Sequence, residues 1–171
     1  MLSKSLKSKI LNLKSNLTIL GIDPGLADTG FGVIEKNGNE LNVLSFGVIK
    51  TKAQQPTEQR LIEIEEGLEK IIKKYQPQII GVEKLFFCKN VKTALAVGQA
   101  RGVVVLVAGK NCLKLHEFTP LQVKQALTSY GKADKNQIQQ MVKVILKLKN
   151  IPKPDDAADA LAIAICCANS R

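Results

Sequence analysis

Residues Leu17–Asp23, LTILGID, form an apolar run that ends on a carboxylate, with Pro24 and Gly25 directly behind it. An apolar stretch this short, closed by turn residues, predicts a strand. Such a strand tells little about the rest of the chain unless its end recurs, and it does. Gln78–Glu83 is also apolar until it meets an acid, and Asp155–Ala168 is an apolar segment led by acids. Asp-Pro-Gly suits a tight turn, because Pro fixes φ and Gly accepts φ > 0. Asp23 could equally be one ligand of a metal site. The stretch alone leaves both readings open.

The other segments alternate in type. Gly30–Glu35 and Leu41–Lys50 read as strands joined by Lys36-Asn37-Gly38-Asn39, and Asn-Gly is the strongest short hairpin signal. Thr57–Tyr75 is helical, with Leu61, Ile64, Leu68, Ile71 and Ile72 as one stripe, and Gln76-Pro77 stops it. Val91–Lys110 starts like a helix and ends in Val103–Val107, which has strand propensity; a single long buried helix would overrule that preference. Leu113–Phe118 is a fifth strand. Thr119-Pro120 opens a helix to Ser129, a second runs from Asp134 to Lys149 with Ile138, Met141, Val142, Ile145 and Leu148 buried, and a last one follows from Asp155. Three strands in meander, then strands reached through helical crossovers, predict an α/β domain with a mixed five-stranded sheet flanked by helices.

At 171 residues the chain fits one domain, over residues 17–171. Residues 1–16 stand apart, with four lysines, no acid, and Leu2, Leu6, Ile10, Leu13 and Leu17 at roughly helical spacing. That extension reads as a flexible tail or mis-assigned start, or else as a DNA-contacting arm or targeting segment. The net charge of +10 points to a polyanionic partner, nucleic acid or an anionic membrane surface. No uninterrupted apolar run approaches the roughly 18 residues that cross a bilayer; Val103–Ala108 and Ala160–Ala168 are too short. Cys88, Cys112, Cys166 and Cys167 contain no C-x-x-C pair, and the Cys166–Cys167 neighbours suit a buried helix in a reducing, cytoplasmic setting. His116 is the only histidine, which argues against zinc and against Cys/His catalysis. Arginine occurs only at Arg60, Arg101 and Arg171, so lysine carries most of the positive charge, as suits phosphate and shape recognition.

Each acid has an ordinary explanation. Asp23 can start a turn, Glu83 can face water, and Asp155, Asp156 and Asp159 can cap a helix. Their agreement is what matters, because strand ends of α/β sheets gather sites. Oxygen ligands without a useful histidine suit Mg²⁺ or Mn²⁺. Two such ions about 4 Å apart can activate water and stabilise the leaving oxygen of an in-line phosphoryl displacement.

These residues carry a family pattern. Gly21-Ile22-Asp23-Pro24-Gly25 with Thr29-Gly30, Glu83-Lys84-Leu85-Phe86, Lys89-Asn90, Gly98-Gln99-Ala100-Arg101-Gly102, Gln122-Val123-Lys124-Gln125 and Asp156-Ala157-Ala158-Asp159 occur in order over residues 17–168. In this the chain resembles the RuvC-type Holliday junction resolvases of the ribonuclease H-like fold. The resemblance implies that Asp23, Glu83, Asp156 and Asp159 are catalytic metal-binding acids for two Mg²⁺ ions, with Mn²⁺ able to substitute. Asp155 either caps the helix or joins the metal shell. It implies DNA contacts at Phe86, Lys89, Lys124, Lys135 and Arg101, with Phe86 probing the junction and Phe87 packing. Gly98 and Gly102 allow a close helix contact, either with the sheet or across a homodimer; the family dimerises there. The implied activity is paired, metal-dependent nicking of four-way junction DNA in recombination and repair, alongside the RuvA and RuvB branch-migration proteins and with no membrane partner.

Overall fold

A computed structural model of the protein describes residues 16–84 and 91–170. The chain runs β1 (Leu17–Asp23), β2 (Asp28–Asn37), β3 (Glu40–Lys50), α1 (Thr57–Tyr75), β4 (Ile79–Glu83), α2 (Val91–Lys110), β5 (Lys114–Phe118), α3 (Pro120–Thr128), α4 (Lys135–Ile145) and α5 (Asp155–Asn169). The sheet order is β3-β2-β1-β4-β5. β1, β2 and β3 pair antiparallel, and β4 and β5 add on in parallel. The expected mixed five-stranded sheet is therefore present. One core cluster joins a face of the sheet to α3, α4 and α5, and the other joins the opposite face to α1 and α2.

Local signals explain the element ends. Gly38 takes φ 62° in the β2–β3 hairpin, where the Asn-Gly signal placed the turn. Thr119 and Asp134 cap α3 and α4 with reciprocal capping boxes to Gln122 and Gln137. α4 stops at Ile145, a turn before the expected Lys149, because Lys147 adopts a left-handed conformation (φ 52°) and Leu148 N–H returns to the Lys143 carbonyl.

α5 is the central helix. Eleven of its residues, Ala157, Ala158 and Ala160 to Ala168, are buried. A helix apolar on all sides belongs inside a protein. Its thiols follow: burial pushes Cys166 up to about 11 and Cys167 up to about 12, so both stay protonated and inert. α5 lies unusually close to the sheet because the strands beneath it carry glycine. Gly21 on β1 pairs with Gly32 on β2 and Gly81 on β4, which makes a glycine row across three strands. A Cβ on Gly21 would collide with the Ala160 carbonyl oxygen and stand 2.6 Å from Ala164 N. One on Gly32 would stand 2.8 Å from Leu161 Cδ2, and one on Gly81 3.2 Å from Ile163 Cγ2.

α2 is one helix, so tertiary packing overrides the strand propensity of Val103–Val107. Ala100, Val104, Val107 and Ala108 are buried against α1 and the sheet. It is buried on one side only. Leu95 (64% exposed) and Leu106 (58%) stand on an open face. The 18-residue window Thr93–Lys110 also reaches a mean hydropathy of 1.2 and is long and apolar enough to cross a membrane. That corrects the reading from uninterrupted runs, because a window average tolerates Gln99 and Arg101. In the fold the stripe of Ala100, Val104, Val107 and Ala108 packs on the sheet, and Lys110 pairs with Glu65 of α1.

The glycine row makes a stability prediction. Gly21→Ala should destabilise the protein by roughly 1–3 kcal/mol or more, the usual range for overpacking a tight core. Gly109→Ala, whose new methyl would meet no other element of the fold within 4 Å, should leave stability unchanged or raise it by up to about 1 kcal/mol through helix propensity. Chemical denaturation measures both, and equal midpoints for wild type and Gly21→Ala would contradict the close packing.

Candidate active site

The geometry follows from strand periodicity. Ile19, Gly21 and Asp23 share one face of β1, and Ile79, Gly81 and Glu83 share one face of β4. Gly21 and Gly81 both face α5, so the two acids do as well. Ile22 is in register with Val82. Asp23 and Glu83 therefore occupy equivalent places at the C-terminal ends of neighbouring parallel strands, the usual location of a site in such a sheet. α5 supplies the other acids at its first turn. Gly30, the partner of Asp23 in register, is the seat of Asp156: a Cβ there would collide with the Asp156 carbonyl oxygen. Pro24 and Gly25 turn the chain away, and Thr29 Oγ1 donates to the Gly25 carbonyl at 2.6 Å to hold that turn.

Asp23, Glu83 and Asp159 line one cavity of about 210 Å³ together with Lys124, Lys135 and an apolar wall that includes Val123, Ile138 and Ile163. Asp156 lines a second, adjoining groove with Gly25, Asp28 and Arg60. The field of Asp156 nevertheless reaches Asp23. Burial, then the charges of Asp159, Glu83 and Asp156, push the Asp23 carboxyl up to about 7, against the pull of Lys135. Burial also raises Glu83, with Asp159 adding and Lys124 opposing. Asp159 is raised by burial and held back by Lys135. The Lys135 ammonium stands 3.1 Å from Asp159 Oδ2 and 3.5 Å from Asp155 Oδ2. Burial works against its charge, but the hydrogen bonds to Asp159 and Asp155 and their charges together outweigh that, and its pKa is raised.

The donor set suits a hard divalent cation. Partly buried carboxylates that raise one another's pKa are a net negative, oxygen-only site, which Lys124 and Lys135 oppose without neutralising. Among the described residues no three acids are gathered into a closed coordination cage. The acids share a field before they share an ion.

The structure sorts the remaining expectations. Asp155 is half-buried and does not line the cavity; it is engaged by Lys153 at 2.8 Å and by Lys135, and its carboxyl is lowered chiefly by the Lys153 bond. Arg101 has a partner within the fold. Its guanidinium pairs with Glu117 of β5 and its Nε is buried, so it ties α2 to the sheet. Phe86 and Lys89 lie outside the described residues, as do Phe87, Cys88 and residues 1–15. His116 is a strand residue 3.3 Å from Ser170 Oγ, far from any ligand role. Sequence reasoning passed over Arg60. Its only signal was rarity: one of three arginines, in the first turn of α1.

Comparison with known proteins gives the same picture. The family model for crossover junction endodeoxyribonuclease RuvC matches residues 19–167. The RuvC of Heliobacterium modesticaldum is 55% identical over 154 residues, which cover 90% of this chain and 95% of that protein. The RuvC of Ruminiclostridium cellulolyticum is 54% identical over 155 residues, 91% of this chain and 93% of its own. Among solved structures, Thermus thermophilus RuvC in complex with Holliday junction substrate superimposes with a TM-score of 0.84 at 36% identity, covering 89% of this chain and 93% of that one. The yeast mitochondrial Holliday junction resolvase Ydc2 matches with a TM-score of 0.60 at 17% identity, over 95% of this chain and 85% of its own, which shows the shared ribonuclease H-like fold.

The Asp23 environment predicts a pH-dependent stability. In the fold this carboxyl keeps its proton up to about pH 7, whereas its ordinary value is 3.8. Between those values the folded state binds a proton that the unfolded chain has released, so metal-free stability falls as pH rises through that window. Asp23→Asn removes the penalty. Without divalent metal the variant should melt well above wild type at pH 8, by a few kcal/mol at about 1.4 kcal/mol per pKa unit. The difference should shrink towards pH 4. Equal melting at pH 8 would contradict the raised carboxyl.

Proposed function

The chain belongs to the RuvC family of crossover junction endodeoxyribonucleases, and we propose on that premise that it resolves Holliday junctions by paired, metal-dependent nicking of two opposed strands. The observation that carries this reading is one cavity holding Asp23, Glu83 and Asp159 beside Lys124 and Lys135. Acids alone would repel DNA, and lysines alone would only bind it. Together they suit a phosphodiester brought to a cation.

Asp23, Glu83, Asp156 and Asp159 would hold two Mg²⁺ ions, with Mn²⁺ able to substitute. Bound there, the ions supply Lewis-acid activation of water and neutralise charge at the leaving oxygen. The chain's own residues do the rest. Lys124 and Lys135 position the phosphate, as ammonium groups do on nucleic-acid backbones. In binding DNA Lys135 exchanges its contacts with Asp159 and Asp155 for a phosphate, which frees Asp159 for the metal site. Hydrolysis leaves 5′-phosphate and 3′-hydroxyl ends that a ligase can seal. Lys89 adds a phosphate contact, and Phe86 stacks on an unpaired base at the junction, worth roughly 1–3 kcal/mol per base.

A four-way junction has two-fold symmetry, and a homodimer with one site per subunit matches it. The open apolar face of α2 supports that assembly. Leu95, Val105 and Leu106 are exposed there, and Gly102 has no atom within 4 Å of its Cβ position. Exposed large apolar side chains along one helix suit a second copy of the chain. The dimer acts in the cytoplasm beside the RuvA and RuvB branch-migration proteins.

A synthetic four-way junction tests the proposal. Wild type should cut two opposed strands in Mg²⁺ or Mn²⁺ and leave it intact in chelator. Asp23→Asn should abolish cutting, by 10³-fold or more on the order of a lost two-metal site, with junction binding retained. Leu106→Glu should yield a monomer by light scattering and lose coupled nicking. Phe86→Ala should slow cutting more than it weakens binding. Normal cutting by Asp23→Asn would overturn the reading of the site.

A further inference from the structure

Arg60 has no place in the chemistry above, yet it borders the acid site. Of the two arginines among the described residues, Arg101 is committed to Glu117. Arg60 enters no ion pair among the described residues. It is, however, held in place. Its Nε–H donates to Thr51 Oγ1 at 2.8 Å. The Thr51 hydroxyl in turn donates to the Leu26 carbonyl at 2.6 Å, and Thr51 N–H donates to the Ala27 carbonyl at 2.9 Å. Thr51 thus joins the end of β3, the turn after Asp23 and the first turn of α1. With Nε used in this way, the four N–H groups on the two terminal nitrogens are left for an acceptor from outside.

The groove in front of Arg60 has the shape for one. It measures about 500 Å³, and it is walled by residues 25–28, by Ala96 and Val97 of α2, and by Asp156. Asp156 lines this groove and its charge acts on Asp23, whereas Lys124 and Lys135 line only the other cavity, so the groove flanks the acids on a side of its own. Its other acid, Asp28, already faces Lys50 at 3.8 Å. The acids are therefore flanked by cations in both places: Lys124 and Lys135 in the cavity, and a guanidinium held by Thr51 in the groove. A planar, pre-oriented guanidinium matches a phosphate through two parallel hydrogen bonds in a way that a lysine does not.

We propose that Arg60 grips a phosphodiester of the cleaved strand next to the scissile one, on the Asp156 side of the acids. The strand is then held on both sides of the bond that breaks. This rests on the nuclease reading and adds to it a binding residue and a direction for the strand across the site.

Junctions carrying one neutral methylphosphonate linkage at a time near the cut site test it, with cleavage measured under single-turnover conditions for wild type and Arg60→Gln. At one linkage beside the scissile position, neutralisation should slow wild type by about 10-fold to 100-fold, the range of a charged hydrogen bond. The same linkage should make no difference to Arg60→Gln, which is already slow. The slope of log binding constant against log salt should also become shallower by about one. Thermal melting shows whether Arg60→Gln folds, and Arg60→Lys serves for the scan if it does not. Matching scan profiles for variant and wild type would overturn the proposal while leaving the nuclease reading intact. A wild type that cuts no junction would overturn both.

Discussion

Helix α5 lies against the sheet with no space for a side-chain carbon between them at Gly32 and Gly21, and with little at Gly81. Most of the remaining structure depends on that contact. Glycine within strands weakens them by roughly 0.5–1 kcal/mol each relative to alanine, so three in one row are a local cost. The return is position. The first turn of α5 is set down on Gly30, beside the end of β1, and Asp156 and Asp159 arrive where Asp23 and Glu83 end their strands. Alanine along α5 serves the same purpose from the other side, because small side chains allow the helix backbone to descend.

What this position creates is electrostatically unfavourable on its own. Four acids approach one another at the end of a buried element, and Asp23 responds by holding its proton up to about 7. Lys135 offsets part of the charge through Asp159 and Asp155. The fold therefore concentrates negative charge at the ends of β1 and β4. A site that is costly without its ligands is a common trade of stability for activity.

Much of this was legible in the sequence. β1 and α1 have the bounds that their residues predict, because apolar patterning and the stop at Gln76-Pro77 are local signals. The acids were legible as a set, since each ends or begins an apolar element. Other features were not local and could not be read. That the glycines form a row depends on strand register, which no single segment encodes. The sharing of roles among the acids, with Asp156 turned to a second groove and Asp155 tied to lysines, depends on helix rotation. The tie between Arg101 and Glu117 was not legible either, because the two stand on different elements, 16 residues apart in sequence. The open face of α2 was hidden for the opposite reason. A helix apolar on both sides gives no periodic signal to tell core from interface, and its hydrophobic residues divide between the two.

The central claim is that α5 creates a shared negative field at the ends of β1 and β4. Carbon-13 NMR of the Asp23 carboxyl in metal-free protein measures that field directly. The account predicts a titration midpoint near pH 7 that falls when Asp159→Asn removes the largest neighbouring charge. A midpoint at the ordinary aspartate value, unmoved by that substitution, would contradict it.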